Sequence, residues 1–290
     1  MRRLAQAFSG GALVLLQRDQ PVEDFAGEQI LQHANHRFRF DCCVGVSAGS
    51  ANTASYLAGQ KGRNYKFYCE YAFRREYMSL FNYMKHRSYI DMDYVYGTLS
   101  NSRGEYPLDY RALKENPAQL FVVAQEAVSG RAVYFTKEDM AQDHYQILMA
   151  SSSIPGVNRP YPIAGQLYYD GALGDPVPIQ KAFDEGCDRV VLLLTKPVAV
   201  PRDSGWDPLL AKIIQHRYPA SAENLRNRAS RYNEEVALAR EYEKQGRLLI
   251  VSPDDTAGVT TLSRDRAALD RLYQKGYRDG ARIREWLGLE

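Results

Sequence analysis

The sequence predicts an α/β fold, and three features point to it. The run Arg189-Val190-Val191-Leu192-Leu193-Leu194-Thr195 is apolar without alternation, as expected of a strand in a parallel sheet covered on both faces. Short β-branched runs alternate with longer segments of helical pattern along most of the chain. Between Phe40 and Ala58 a strand pattern passes into a helix pattern across GVSAGS, Gly45 to Ser50, where a serine stands between two glycines. A sheet with helices on both faces makes the arrangement three-layered.

The elements follow in order. Ala12 to Leu16 (ALVLL) reads as a first strand, Phe25 to Ala34 as a short helix and Phe38 to Val46 as a second strand. Small and apolar residues suit a helix from Ser50 to about Lys61, and an aromatic helical pattern continues from Asn64 to His86. Leu120 to Glu126 and Ala132 to Thr136 are two strands joined at Ser129-Gly130, a hairpin-type turn. A helical pattern from Tyr145 to Ala150 leads into Ser151-Ser152-Ser153-Ile154-Pro155. Then come the strand Gln166 to Tyr169, a helix from about Val177 to Glu185 and the apolar strand already noted. Ser221 to Lys244 is a charged helix, Arg247 to Ser252 (RLLIVS) one more buried strand, and Leu262 to Leu287 is helix-prone. There are no internal repeats, low-complexity tracts or linker.

At 290 residues the chain can bury a substantial core, and 37 basic against 35 acidic side chains name no nucleic-acid partner. Lys61, Arg63, Lys66, Arg74, Arg75, Lys85, His86 and Arg87 gather in an aromatic segment, which suits contact with anionic lipid headgroups or a solvated helix with an apolar core side. Cys42, Cys43, Cys69 and Cys187 form neither a C-x-x-C pair nor a ligand set with histidine, so no metal is expected and a reducing compartment fits. The N-terminal run after two arginines is interrupted by Gln6, Ser9 and two glycines, and no stretch approaches the roughly 18 to 20 apolar residues that span a bilayer. The expectation is a cytoplasmic protein with peripheral membrane contact. The sequence leaves its oligomeric state open.

Ser47 carries the chemistry. In a sharp turn from strand to helix, side chains two positions either side of the central residue clash; Gly45 and Gly49 relieve this and let Ser47 project beyond the sheet edge. Amides at the helix start, Ala48 included, favour negative charge developing there. A serine hydroxyl needs a base. His216 is late enough in the chain for a Ser-Asp-His triad, although a helix-end surface histidine is the more ordinary explanation. Asp170, in Tyr168-Tyr169-Asp170-Gly171-Ala172, is the candidate for a carboxylate acting alone, with a plain turn as its structural alternative.

The GVSAGS turn, the Ala150-to-Pro155 segment and Asp170-Gly171-Ala172, in this order and spacing, resemble the patatin-like phospholipase family, most of all bacterial members with an extra C-terminal region. The resemblance covers roughly residues 12 to 290. It implies a three-layer α/β/α sandwich with a mostly parallel central sheet, in which Ser47 is the nucleophile and Asp170 the general base of a Ser-Asp dyad. Gly45, Gly49 and Ala48 would support the turn and the oxyanion, and Gly171 and Ala172 the base. The implied activity is hydrolysis of acyl esters of lipids, of the phospholipase A or lysophospholipase kind, with no metal or other cofactor. Residues 1–195 are expected to form the hydrolase domain, with its core from about 12 to 195, and residues 196–290 a mainly helical region packed on it that carries no chemical motif of its own. The chain departs from the family at one point. Where a G-G-G-x-R-G loop normally follows the first strand, it reads Leu16-Gln17-Arg18-Asp19-Gln20-Pro21, and its only nearby glycine pair, Gly10-Gly11, precedes that strand. Loss of even one oxyanion donor typically costs ~10²–10³ in rate, so a non-catalytic lipid-binding or regulatory protein on the same scaffold is the alternative.

Overall fold

The computed structural model describes residues 12–17, 40–256, 258–259 and 264–288, the first of these segments by backbone only. The predicted helix from Phe25 to Ala34, the N-terminal apolar run and the loop after the first strand lie outside the described residues.

Eight strands form one sheet: β1 (Ala12–Gln17), β2 (Cys42–Val46), β3 (Gln119–Glu126), β4 (Ala132–Phe135), β5 (Tyr161–Ile163), β6 (Gln166–Asp170), β7 (Arg189–Leu194) and β8 (Leu248–Val251). Their order is β5-β6-β3-β2-β1-β7-β8, with β4 also paired to β3. Ten α-helices are described: α1 (Ala48–Leu57), α2 (Arg63–Cys69), α3 (Leu80–His86), α4 (Tyr110–Glu115), α5 (Gln146–Ser151), α6 (Ile179–Asp184), α7 (Asp207–Ile214), α8 (Pro219–Lys244), α9 (Arg266–Asp279) and α10 (Ala281–Trp286).

Alternation along the strands builds two cores. Successive side chains of a strand point to opposite faces. Cys43, Leu120, Val122, Ala124, Val191 and Leu249 therefore meet one helical layer, through Ala54 and Leu57 of α1, Phe67 of α2, Leu113 of α4 and Ile147 of α5. Cys42, Val44, Val46, Phe121, Val123, Val190 and Leu192 meet Ile179 and Ala182 of α6 and Tyr232, Val236 and Ala239 of α8 on the other face. The three layers thus follow from strands apolar on both sides. A satellite cluster joins Tyr169 and Leu173 to Leu210 of α7 and Leu225 of α8, at the sheet end where β6 stops.

The sheet is mixed, not mostly parallel. Only β2–β3 and β7–β8 are parallel pairs among the described strands. β1 runs against both of its neighbours, and β3–β4 and β5–β6 return as antiparallel pairs. Strand direction is set by the connections, which an apolar strand composition does not encode. The aromatic pattern from Asn64 to His86 also divides: α2 ends at Cys69, a 3₁₀ turn covers Tyr71–Phe73, and α3 restarts at Leu80 with the Ser79 hydroxyl capping the Asn82 amide at 3.2 Å. Between them Tyr71, Ala72 and Met78 are buried, an inward turn that one continuous helix cannot make. The short strand β5, with Pro162 in its centre, is where the sequence shows no strand pattern.

Candidate active site

β2 enters the site and α1 leaves it through Ser47, whose φ of 55° and ψ of −125° are a conformation that non-glycine residues rarely adopt. Such strain costs on the order of 1–3 kcal/mol and persists only where its surroundings enforce it. Here the enforcement is a close approach of backbones. A Cβ on Gly45 would stand 2.4 Å from the Ser50 Cα and 2.9 Å from the Gly49 carbonyl carbon, so the first turn of α1 lies directly on the strand. The Ser50 amide and hydroxyl both donate to the Ser47 carbonyl, at 3.0 and 2.6 Å, and close the turn. Gly45, Gly49 and Ser47 are buried, and Ala48 is half-buried.

Asp170 arrives from the opposite direction, as the last residue of β6, opposite Ala124 of β3. Its Oδ2 accepts a 2.6 Å hydrogen bond from Ser47 Oγ and its Oδ1 accepts one of 2.8 Å from the Ala172 amide. The next residue has to be glycine, since a Cβ on Gly171 would meet the Val123 carbonyl oxygen at 2.3 Å. The segment between the two motifs ties them together. Ser151 Oγ accepts from the Ser47 amide at 3.0 Å, and the Ser153 carbonyl accepts from the Asp170 amide at 2.9 Å. The three segments singled out in the sequence therefore meet at one point. His216 does not join them: it is exposed in the turn after α7, and the Ser47 hydroxyl donates to Asp170 instead.

Burial raises the Asp170 carboxyl from its ordinary 3.8 to about 6, against the opposing pull of the Ser47 hydroxyl, the Ala172 amide and the charges of Arg228 and Arg202. Arg228 is itself buried against Asp207, with Nε donating to Oδ2 at 2.9 Å. A carboxylate ionised near neutral pH and bonded to a hydroxyl can take up that proton during attack on an electrophile without a histidine. Among the described residues no cluster of His, Cys, Asp or Glu could hold a metal ion.

A cavity of about 280 Å³ opens at Ser47. Phe67, Met78, Ile90, Val95 and Ile154 give it an apolar wall, and Asn52, Arg63 and Asn64 add polar groups. Thr256, Val259, Leu269 and Leu272 complete it from the C-terminal region. That region is fixed in place. The Tyr65 hydroxyl donates to Asp270 at 2.9 Å, the Tyr65 and Tyr273 rings lie 4.5 Å apart, and Arg266 Nε donates to the Cys69 carbonyl at 2.9 Å. Asp265 caps α9 by accepting from the Ala268 amide at 3.0 Å, and Asp254 pairs with Lys275 at the surface. None of the cavity-lining residues beyond position 250 carries a chemical signal in the sequence, because an apolar pair three apart on a helix reads as ordinary core.

Two family models and one relative match parts of this chain. A domain of unknown function (DUF6363) matches residues 218–288. The uncharacterized protein YjjU of Escherichia coli (strain K12) is 25% identical over 179 residues, which are 58% of this chain and 46% of that protein, so the chain spans less than half of this relative. A family model described as patatin-like phospholipase matches residues 7–183, which hold the serine turn, the bridging segment and the acidic turn. That match takes in more than half of the sequence, and the chain belongs to the patatin-like phospholipase family.

Proposed function

We propose that the protein is a serine hydrolase of lipid acyl esters that works through Ser47 and Asp170. The observation that carries this reading is the 2.6 Å hydrogen bond from Ser47 Oγ to Asp170 Oδ2 in a strained strand-to-helix turn. Ser47 Oγ attacks the ester carbonyl carbon while its proton passes to Asp170. The oxyanion that forms is held at the start of α1, where Ala48 follows the serine and Gly45 and Gly49 permit the turn. Collapse expels the alcohol, which takes the proton from Asp170. Water then attacks the acyl-serine with Asp170 again as base, and the carboxylic acid leaves.

Residues 1–195 form the catalytic unit in this reading, and residues 196–290 pack on it and close the cavity. The unit works at a lipid surface. In α3 the apolar Leu80, Phe81 and Met84 are exposed, by 54%, 47% and 73%, and the Arg75 guanidinium lies 4.9 Å from the Phe81 ring, with Lys85 and Arg87 beside them. Exposed apolar side chains rimmed by cations suit the interface of an anionic membrane. Among the described residues no helix is long and apolar enough to cross a membrane, and all four cysteines are buried outside any disulfide, which fits the cytoplasm.

The deciding experiment is hydrolysis of a short-chain and a long-chain p-nitrophenyl ester by the purified protein beside Ser47→Ala and Asp170→Asn. Both variants are expected to lose at least about 10³-fold in kcat/KM. Full activity in folded Ser47→Ala protein overturns the assignment. The lack of a glycine-rich loop after the first strand favours the second reading, a lipid-binding protein without catalysis. Failure of a fluorophosphonate to label Ser47 would support that reading.

A further inference from the structure

Buried charge is concentrated behind the acidic turn. Among the described residues five charged side chains are deeply buried. One, Arg63, lines the cavity wall, and the other four gather at the turn: Asp170 and Asp207 are each 1% exposed, Arg228 2% and Arg202 7%. Residues of the C-terminal region bring both arginines there. On α8 the Arg231 Nη1 donates to the carbonyls of Leu173 and Gly174, at 2.7 and 3.0 Å, directly after the turn Asp170-Gly171-Ala172. Leu225 shares an apolar cluster with Tyr169 and Leu173, and Tyr232 shares another with Ala172. Positions 225, 228 and 232 fall on one face of a helix, so Arg228 stands between two contacts that clasp the turn. Asp207, the first residue of α7, aims its guanidinium by accepting from Nε at 2.9 Å. Arg202 is fixed through its backbone. Its amide donates to Asn233 Oδ1 at 2.8 Å, its carbonyl accepts from Asn233 Nδ2 at 2.9 Å, and its guanidinium carbon lies 5.6 Å from the centre of the Tyr232 ring.

Buried ionic groups are tolerated where opposite charges balance them. Arg202 and Arg228 carry two positive charges and Asp207 one negative. An ionised Asp170 supplies the second negative charge and makes the buried set neutral. Two more charges face the arginines from the rim and offset each other: half-buried Lys196, which follows the cavity residue Thr195, and exposed Asp203. The other groups against Asp170 are the Ser47 hydroxyl, the Ala172 amide and Ala124 of β3, none of which brings a charge. The charges that act on Asp170 are therefore the two arginines, and both oppose the effect of burial. Neither lies in the part matched as patatin-like: Arg202 falls between the two matched segments, and Arg228 within the domain of unknown function.

We propose that Arg202 and Arg228 are positioning residues of the reaction, which hold the Asp170 side chain in its proton-accepting form and so make the chemistry of the N-terminal part depend on charges carried by the C-terminal region. That region thereby has a part in the chemistry besides closing the cavity. The proposal rests on the hydrolase reading for the reaction itself, whereas the ionisation of Asp170 is measured without it.

Carbon-13 NMR of protein labelled at the aspartate side-chain carboxyl follows the titration directly, and Asp170→Asn identifies the resonance by its loss. The wild-type midpoint is expected at about 6. Arg202→Gln removes one buried positive charge and leaves the backbone contacts with Asn233; it is expected to raise the midpoint by about 1 pH unit, and Arg202→Lys to keep it near wild type. Asp207→Asn removes a negative charge instead and is expected to lower the midpoint by about 1 pH unit. Shifts of opposite sign from two neighbouring substitutions follow from charge and not from a packing defect, and melting curves identify the folded variants. In the hydrolase reading the acid limb of kcat/KM moves with each midpoint. Midpoints that shift as expected in a protein without esterase activity refute hydrolysis and leave the control of Asp170 by the arginines standing. A midpoint unmoved in folded Arg202→Gln protein, or moved in the same direction by Arg202→Gln and Asp207→Asn, overturns the proposal. If Arg202→Gln does not fold, Asp207→Asn decides alone, and a midpoint that fails to fall overturns it.

Discussion

Replacing Asp170 by asparagine gives a stability test whose size follows from the geometry. The asparagine Oδ1 can accept from the Ala172 amide and its Nδ2 can donate to Ser47 Oγ, so both contacts of the carboxylate survive in an isosteric side chain. What changes is charge. Burial raises the Asp170 carboxyl from 3.8 to about 6. At 1.36 kcal/mol per pKa unit, the ionised side chain therefore costs the folded state about 3 kcal/mol above pH 7. The sign is fixed by linkage: below pH 3.8 the native carboxyl keeps its proton and the favourable contribution is whole, and it is lost as pH rises through 6. Urea unfolding of wild type and Asp170→Asn, followed by circular dichroism from pH 4 to pH 8, reads the difference directly, and other titrating groups cancel between the two proteins. The variant is expected to match wild type at pH 4 and to be more stable by up to about 3 kcal/mol at pH 8. A difference that is flat with pH, or that favours wild type increasingly as pH rises, refutes the account of Asp170 as a carboxylate raised by burial.

Three further outcomes are expected. Gly45→Ala puts a methyl 2.4 Å from the Ser50 Cα, so differential scanning calorimetry will show a loss of roughly 1–3 kcal/mol together with lost ester hydrolysis; an unchanged melting curve would contradict the backbone contact. Arg228→Met leaves Asp207 buried without its cation and is expected to cost about 3–5 kcal/mol in chemical denaturation, whereas the double variant Arg228→Met/Asp207→Leu regains most of it. Serine at Leu80, Phe81 and Met84 together is expected to lower sedimentation with phosphatidylserine-containing vesicles at least about 10-fold; undiminished binding would move the membrane contact elsewhere on the surface.

How much of this was legible in the sequence depended on whether a feature is local. Ser47 and Asp170 announced themselves because each sits where a backbone must turn without room for a Cβ at Gly45 or Gly171, and that demand is written in adjacent letters. The unbroken apolar run at β7 likewise revealed a strand covered on both faces. The direction of β1 between β2 and β7 was not readable, since an apolar strand pairs either way and its connections decide. Arg63 looked like one more surface cation in a basic aromatic stretch. Its burial depends on Ser100 and Phe67 closing around it, which no local pattern records. Leu269 and Leu272 gave only the helical spacing shared by core and cavity wall alike.

The closing of the cavity by residues beyond 250 divides its wall between two distant parts of the chain. Ser47 and Asp170 belong to the part matched as patatin-like, whereas Val259 and Leu269 lie in the part matched by the domain of unknown function. The contacts of Asp270 and Tyr273 with Tyr65 hold that second part over the apolar space beside the strained serine. In the hydrolase reading, a change on the cavity face of α9 would alter selectivity for the hydrocarbon part of a ligand while leaving Ser47 and Asp170 untouched.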